Sequence, residues 1–70
     1  MRVTVDVTGE GVHEIDLERL ESASPTYADL LARIELSPHE VSVLVDGRPV
    51  PEDAPVEVEQ ITVLRLIKGG

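Results

Sequence analysis

A chain of 70 residues has room for one small domain, which must fold with Tyr27 as its only aromatic residue. The absence of cysteine excludes disulfides, thiol catalysis and thiolate metal ligation by this chain. Fourteen acidic against six basic side chains give a formal net charge of -8, which repels phosphate backbones and argues against direct nucleic-acid binding.

The hydropathy pattern indicates neither a membrane span nor a signal peptide. Its apolar stretches are only a few residues long, whereas a spanning helix needs about 20 apolar residues. We therefore expect a cytoplasmic protein that does not enter a membrane. Because carboxylates stay hydrated in concentrated salt, which also screens their repulsion, an acidic surface with Lys68 as the only lysine fits a saline cell.

Two strands joined by a tight turn are predicted at the start of the chain. Valines at every second position from Val3 to Val7 alternate with polar residues, as in a strand with one buried face. The segment Gly9-Glu10-Gly11 tolerates positive φ and predicts a hairpin. The register of the second strand stays open, because Val12 and Ile15 are out of phase.

One short amphipathic helix is predicted after a polar connection. Thr26 and Asp29, three residues apart, form a capping-box pattern. Proline disfavours helical geometry in the residue before it, so we expect Leu36-Ser37-Pro38 to end the helix. The apolar residues that recur at helical spacing are Tyr27, Leu30, Leu31 and Ile34.

Three further strands are predicted in the second half of the chain. The branched run from Val41 to Val45 is followed by Asp46-Gly47, a tight-turn signal, and by a short partner, Arg48-Pro49-Val50. After the proline-rich loop 51–55, the branched run 61–67 predicts the last strand. The whole is an α+β unit, with one helix packed across one face of a mixed sheet of four to five strands. A right-handed crossover places the last strand parallel to the first.

This order of elements, with its Gly-Gly ending, resembles the ubiquitin-like β-grasp family over essentially the whole chain. Within it, four segments resemble the small archaeal modifier proteins of haloarchaea, which are related to the MoaD/ThiS-type sulfur carriers. The resemblance implies a β-grasp domain over residues 1–67 and a flexible tail over residues 68–70. The four segments are Thr26-Tyr27-Ala28-Asp29-Leu30-Leu31, Leu36-Ser37-Pro38-His39-Glu40-Val41, Val45-Asp46-Gly47-Arg48-Pro49-Val50 and Leu64-Arg65-Leu66-Ile67-Lys68-Gly69-Gly70.

The resemblance also implies a protein modifier or sulfur carrier that is not itself an enzyme. A ubiquitin-activating-type adenylating enzyme would use ATP and magnesium to activate the Gly70 carboxylate, while this chain binds no cofactor. The activated chain would be linked by isopeptide bonds to lysines of target proteins. Alternatively, it would become a thiocarboxylate for the enzymes of tRNA thiolation or molybdopterin synthesis. The sequence leaves both routes open.

The terminal glycines have a physical rationale of their own. A carboxylate that must reach an ATP phosphate through a narrow channel benefits from Gly69 and Gly70, whose backbone can approach closely. A carboxylate is also a poor acyl donor, because its leaving group is oxide, so activation must precede transfer. Frayed ends often contain glycine as well. Lys68, with its amine two residues from Gly70, is interpreted as a basic tail residue rather than a site of self-chains.

Alternation predicts a leucine patch, formed by Leu44, Leu64 and Leu66, on the sheet face opposite the helix. Exposed patches of this kind mark interaction sites, and this one could dock the activating enzyme. Two other interpretations are that the leucines pack under a loop or that the alternation is shifted by one residue. Arg65, beside the patch, would pair either with an acidic group of the partner or with a glutamate of this chain.

A non-covalent binding module that uses the leucine patch is the alternative function. The sequence contains no recognisable pair of catalytic acid and base, metal cluster or phosphate loop. We therefore expect no catalytic residues and no metal site, and we interpret His13 and His39 as surface residues. The protein is expected to be a monomer.

Overall fold

The computed structural model describes residues 1–20 and 22–66. These residues form five strands and one α-helix in the order predicted from the sequence, together with one 3₁₀ turn that was not predicted. The predicted boundary between residues 1–67 and the tail 68–70 lies outside the described residues. The elements are β1 (Arg2–Val7), β2 (Gly11–Asp16), the 3₁₀ turn (Leu17–Arg19), α1 (Tyr27–Arg33), β3 (Val41–Val45), β4 (Arg48–Pro49) and β5 (Gln60–Arg65).

The five strands form one mixed sheet in the spatial order β2-β1-β5-β3-β4. β5 lies in the centre, parallel to β1 and antiparallel to β3. The prediction that the last strand lies beside the first and parallel to it is therefore confirmed. Because β5 has a neighbour on each side and the helix over one face, its residues Ile61 and Val63 are almost completely buried. In the described part of the chain, no helix is long and apolar enough to cross a bilayer.

The turn between β1 and β2 settles the register that the sequence left open. Val7 pairs with Gly11, and Gly9 between them has a φ of 81°, a conformation that residues with a β-carbon rarely adopt. This register places Ile15 on the buried face of the sheet, where it is 5% exposed. Val12 lies on the opposite face and is 61% exposed.

α1 begins at the predicted capping box. The Thr26 hydroxyl oxygen accepts a hydrogen bond from the Asp29 amide at 3.4 Å, and the Asp29 carboxylate accepts one from the Thr26 amide at 2.9 Å. Two backbone donors at the start of the helix are thereby satisfied. The helix begins at Tyr27, as the sequence pattern predicted.

A backbone motif ends α1 before the proline is reached. Glu35 has a φ of 61°, in the left-handed region. Its amide donates to the Ala32 carbonyl at 3.1 Å, and the Leu36 amide donates to the Leu31 carbonyl at 2.9 Å. These two bonds form a Schellman motif, which satisfies carbonyls at the end of the helix. The last helical residue is therefore Arg33, and the turn rather than the proline sets this boundary.

The hairpin of β3 and β4 confirms the Asp-Gly signal. Asp46 has a φ of 53° and Gly47 a φ of 79°, the positive pair that a type I′ turn requires. Beyond the two residues of β4, the Val50 amide donates to the Val43 carbonyl at 2.9 Å.

One hydrophobic core lies between α1 and the sheet. Its members are aliphatic except for Tyr27, and no polar or charged residue is buried in the described part of the chain. Leu30 and Leu31 of α1 are fully shielded from solvent. The core residues are Val3, Val5, Val7, Ile15, Tyr27, Leu30, Leu31, Val41, Val43, Ile61 and Val63.

Candidate functional site

The residues predicted to carry the function fall into two groups. The tail residues 68–70, which include the predicted attachment point Gly70, lie outside the described residues. The other four residues lie on β3, on β5 or directly after β5, and the structure describes them all: Leu44, Leu64, Arg65 and Leu66. The geometry of the candidate site is therefore that of the surface from which the tail departs.

The sheet face opposite α1, called the outer face below, carries the leucine side chains. On β5, Val63 is fully buried, whereas Leu64 is 38% exposed. Leu66, directly after the strand, is 52% exposed. On β3, Leu44 is half-buried between the inward-facing Val43 and Val45. The strands thus alternate in the phase on which the predicted patch depends, and partner binding by this surface stays a prediction.

Strand pairing places Leu64 between Leu44 and Leu66 along the outer face. Leu44 and Leu64 lie two positions apart along the β3–β5 ladder, and such diagonal neighbours have side chains roughly 7–8 Å apart, within reach of a common partner group. The Leu66 amide donates to the Glu40 carbonyl at 2.7 Å, which extends the pairing past the end of β5. The patch therefore ends where the tail begins.

Val12 is a further exposed apolar residue on the outer face, and it was not predicted as a site residue. It lies opposite Asp6 of β1, so one strand separates it from β5 and the leucine patch. Strands lie about 4.8 Å apart, which puts roughly 10 Å between the β2 and β5 backbones. The three-residue turn 8–10 was the signal that could have indicated this register.

Arg65 pairs with a glutamate of its own chain, the second of the two alternatives. Its Nη2 donates to Glu10 Oε1 at 3.1 Å, and its Nε donates to the other carboxylate oxygen. This hydrogen bonding and the charge of Glu10, with a further contribution from Glu40, raise the pKa of Arg65. The pair joins the end of β5 to the turn between β1 and β2. Because both side chains are solvent-exposed, we expect it to stabilise the fold only slightly.

The ionisable groups of the described residues do not form a metal centre. Within residues 1–20 and 22–66, no three His, Asp or Glu side chains are grouped so that they could hold a metal ion. His13 and His39 are both exposed. The candidate site in this part of the chain is therefore the leucine patch, an apolar surface that ends directly before residues 67–70. The chain that carries it is strongly acidic.

Sequence comparisons identify the relatives of the chain. The sequence model of the family described as small archaeal modifier protein 2 matches residues 1–67. Small archaeal modifier protein 2 of Haloferax volcanii is 59% identical over 70 residues, which cover 100% of both chains. An uncharacterized protein of Archaeoglobus fulgidus is 29% identical over 70 residues and is also covered completely.

The fold agrees with the sequence match. The crystal structure of H. volcanii small archaeal modifier protein 2 superposes with a TM-score of 0.69 at 57% identity and covers 97% of each chain. The mixed five-stranded sheet with one helix is therefore the ubiquitin-like β-grasp fold. The chain belongs to the small archaeal modifier protein 2 family of ubiquitin-like modifiers.

Proposed function

We propose that this chain is a protein modifier, a sulfur carrier or both, and that its reactive group is the carboxylate of Gly70, activated by a separate adenylating enzyme. The observation that carries the proposal is the family match over residues 1–67. A modifier is joined covalently to something else, and a carboxylate behind two glycines is a group suited to that bond. The cofactors, ATP and magnesium, are assigned to the activating enzyme and not to this chain.

The proposed chemistry begins at the α-phosphorus of ATP. A Gly70 carboxylate oxygen attacks this phosphorus, pyrophosphate leaves, and an acyl-adenylate forms. A thiolate of the enzyme then attacks the acyl carbon and AMP leaves, which gives a thioester. A deprotonated lysine amine of a target protein attacks the thioester, forms the isopeptide bond and returns the thiol. In the sulfur-carrier route, hydrosulfide instead attacks the acyl carbon of the acyl-adenylate. AMP is released, and Gly70 then ends in a thiocarboxylate.

The end of the described chain supports access to an enzyme's nucleotide site. Leu66 is held to Glu40 by its backbone amide, and the ion pair of Arg65 with Glu10 ties the end of β5 to a neighbouring turn. Four residues follow Leu66, and four residues span at most roughly 14 Å. A docked domain could therefore present its acyl carbon to a nucleotide about that far from the leucine patch.

The leucine patch is the surface that we assign to the activating enzyme. It lies beside the tail, so docking there aligns the tail with the enzyme's channel. The net charge of -8 would steer the chain toward a basic surface of that enzyme. The enzyme is the first expected partner, and target proteins or the enzymes of tRNA thiolation and molybdopterin synthesis follow it.

A Leu64→Ser substitution is expected to raise the KM of the activating enzyme for this chain by about tenfold, with a smaller change in kcat. A central apolar contact contributes about 1–2 kcal/mol to binding, and 1.4 kcal/mol corresponds to a factor of ten. The measurement is steady-state ATP–pyrophosphate exchange over a range of carrier concentrations. Val12→Ser is the matched control, because Val12 is exposed on the same face but lies away from the patch. Equal effects of both substitutions would contradict the assignment.

Mass spectrometry of the protein from its native cell tests the proposal directly. Replacement of one carboxyl oxygen by sulfur in the intact chain indicates the sulfur-carrier route. Because trypsin cleaves after Lys68, conjugation leaves a Gly-Gly remnant on lysines of target proteins. In a Lys68→Ala variant, cleavage moves to Arg65 and the remnant lengthens to residues 66–70. This shift identifies the chain as the source, and the absence of both marks from cells that express it refutes the proposal.

A further inference from the structure

β5 extends past the point where its pairing with β1 stops. The parallel ladder of these two strands ends where Val7 lies opposite Val63, and the Thr8 amide donates to the Val63 carbonyl at 3.0 Å. Arg65 lies two residues further along β5, where its strand partner is Val41 of β3. Within the described residues, the ladder with β1 therefore leaves the end of β5 unsupported on the β1 side.

The side chain of Arg65 reaches across this side to the turn between β1 and β2. Its Nη2 donates to Glu10 Oε1 at 3.1 Å, and its Nε donates to the other carboxylate oxygen. A bidentate pair of this kind fixes the plane of the guanidinium group as well as its position. The Glu10–Arg65 pair, called the clasp below, thus joins the β1 side of the sheet to the end of β5.

The turn between β1 and β2 holds the backbone of Glu10 in a defined shape. The Glu10 amide donates to the Val7 carbonyl at 2.9 Å, and the glycines on either side of Glu10 have φ values of 81° and 136°. Residues with a β-carbon rarely adopt these conformations. The Glu10 side chain is 43% exposed, compared with 60% for Glu14 in its pair with Arg2. The clasp is therefore the better shielded of these two ion pairs.

The clasp matters more for the end of β5 than for the whole domain. Exposed ion pairs contribute little to global stability, but the fraying of a strand end costs far less free energy than complete unfolding. A weak contact at this place therefore changes how often the end of β5 opens. The Leu66 amide, which donates to the Glu40 carbonyl at 2.7 Å, lies directly beyond the clasp. Only four residues separate the described chain end at Leu66 from the carboxylate of Gly70.

We propose that Glu10 is a positioning residue for the activation of Gly70 and that it acts through Arg65. The clasp holds the end of β5 in one direction relative to the leucine patch, so that a chain docked by the patch directs residues 67–70 toward the nucleotide. Loss of the clasp would leave docking intact but would lower the fraction of complexes in which the carboxylate meets the α-phosphorus. This inference rests on the proposed function, and its first test is independent of that function.

Hydrogen exchange of the Leu66 amide, followed by NMR, tests the clasp in the full chain alone. Glu10→Gln keeps the size of the side chain and removes its charge. We expect the Leu66 amide to exchange about threefold faster, as for the loss of one exposed ion pair, while amides in the centre of β1 keep their rates. An unchanged Leu66 rate would overturn the proposal.

Glu14→Gln is the matched control for the exchange measurement. It weakens the pair of Glu14 with Arg2 at 3.3 Å and changes the net charge by the same amount as Glu10→Gln. Arg2 begins β1 and Arg65 ends β5, so in this parallel pair of strands the two ion pairs lie at opposite ends. The control should leave Leu66 exchange unchanged, and equal acceleration by both substitutions would reduce the effect to general electrostatics and overturn the proposal.

ATP–pyrophosphate exchange with the activating enzyme tests the positioning role. We expect Glu10→Gln to lower kcat by about threefold and to change KM by less than about twofold, because Leu44 and Leu64 still dock. The double variant with Arg65→Gln should be no slower than Arg65→Gln alone, since the two residues act through one contact. A loss for Arg65→Gln without a loss for Glu10→Gln would mean that the arginine contacts the enzyme directly, and it would overturn the proposal.

The two measurements distinguish failure of this inference from failure of the proposed function. Faster Leu66 exchange in Glu10→Gln, with no ATP–pyrophosphate exchange by the original chain, would refute the proposed function and the positioning role with it. Equal kcat for the original chain and Glu10→Gln would instead refute the positioning role alone.

Discussion

Deletion of Gly70 is expected to lower ATP–pyrophosphate exchange by the activating enzyme by more than about a hundredfold. The deletion retracts the carboxylate by about 3.3–3.6 Å, and a misplacement of only about 1 Å can cost a hundredfold in rate. Gly70 lies beyond the last strand, which ends at Arg65, so we expect the free energy of unfolding to stay unchanged. Exchange kinetics and a urea titration on the same protein preparation measure the two quantities.

A Gly70→Ala variant is the matched control for the length of the tail. It keeps the reach of the carboxylate and adds one methyl group beside the acyl carbon. We expect exchange between that of the original chain and that of the deletion, because the backbone can no longer approach as closely. Full exchange by the shortened chain would show that the reaction does not depend on this carboxylate position.

The same variants distinguish the proposed modifier or sulfur carrier from the alternative function, a non-covalent binding module. A module that uses the leucine patch binds its partner equally well with or without Gly70, and it never forms an ATP-dependent covalent adduct. The exposure of Leu64 and Leu66 is compatible with either function. Formation of a covalent adduct that needs both ATP and Gly70 would support the modifier or sulfur carrier. Binding by the full-length chain without any adduct would support the binding module.

The second large effect is expected from Leu30→Ala, which should lower the free energy of unfolding by about 2–5 kcal/mol. Leu30 is completely buried between α1 and the sheet, so its truncation removes apolar contacts and leaves a cavity. A domain of this length has a total stability of only about 4–10 kcal/mol, and this one has neither a disulfide nor a second aromatic residue to strengthen the core. Equilibrium urea unfolding followed by circular dichroism measures the difference.

Leu66→Ala removes the same atoms from an exposed site and serves as the control, with an expected change within about 0.5 kcal/mol. Both variants must be compared at one salt concentration, because the net charge of -8 makes the stability depend on screening. A loss below about 1 kcal/mol for Leu30→Ala would mean that the core collapses around the missing side chain, against the dense packing expected of a protein interior.

Much of the fold could be predicted because its signals are local. Alternating valines indicate which face of β1 is buried, and Asp46-Gly47 specifies a hairpin through its own backbone preferences. The end of α1 was less predictable, because Glu35 occupies a left-handed position usually taken by glycine. The leucines of the predicted patch could be chosen by counting positions along a strand, and their part in binding stays a prediction.

The sequence by itself determined the order of the elements, the inward-facing residues of β1, β3 and β5 and the family to which the chain belongs. These depend on residues within a few positions of one another or on the pattern of the whole chain. Only the tertiary structure decided that Arg65 meets Glu10, 55 positions away, and that Arg19 and Arg33 line one groove beside β2. Such contacts depend on strand register and on the position of the helix over the sheet, because folding brings together side chains that no local pattern relates.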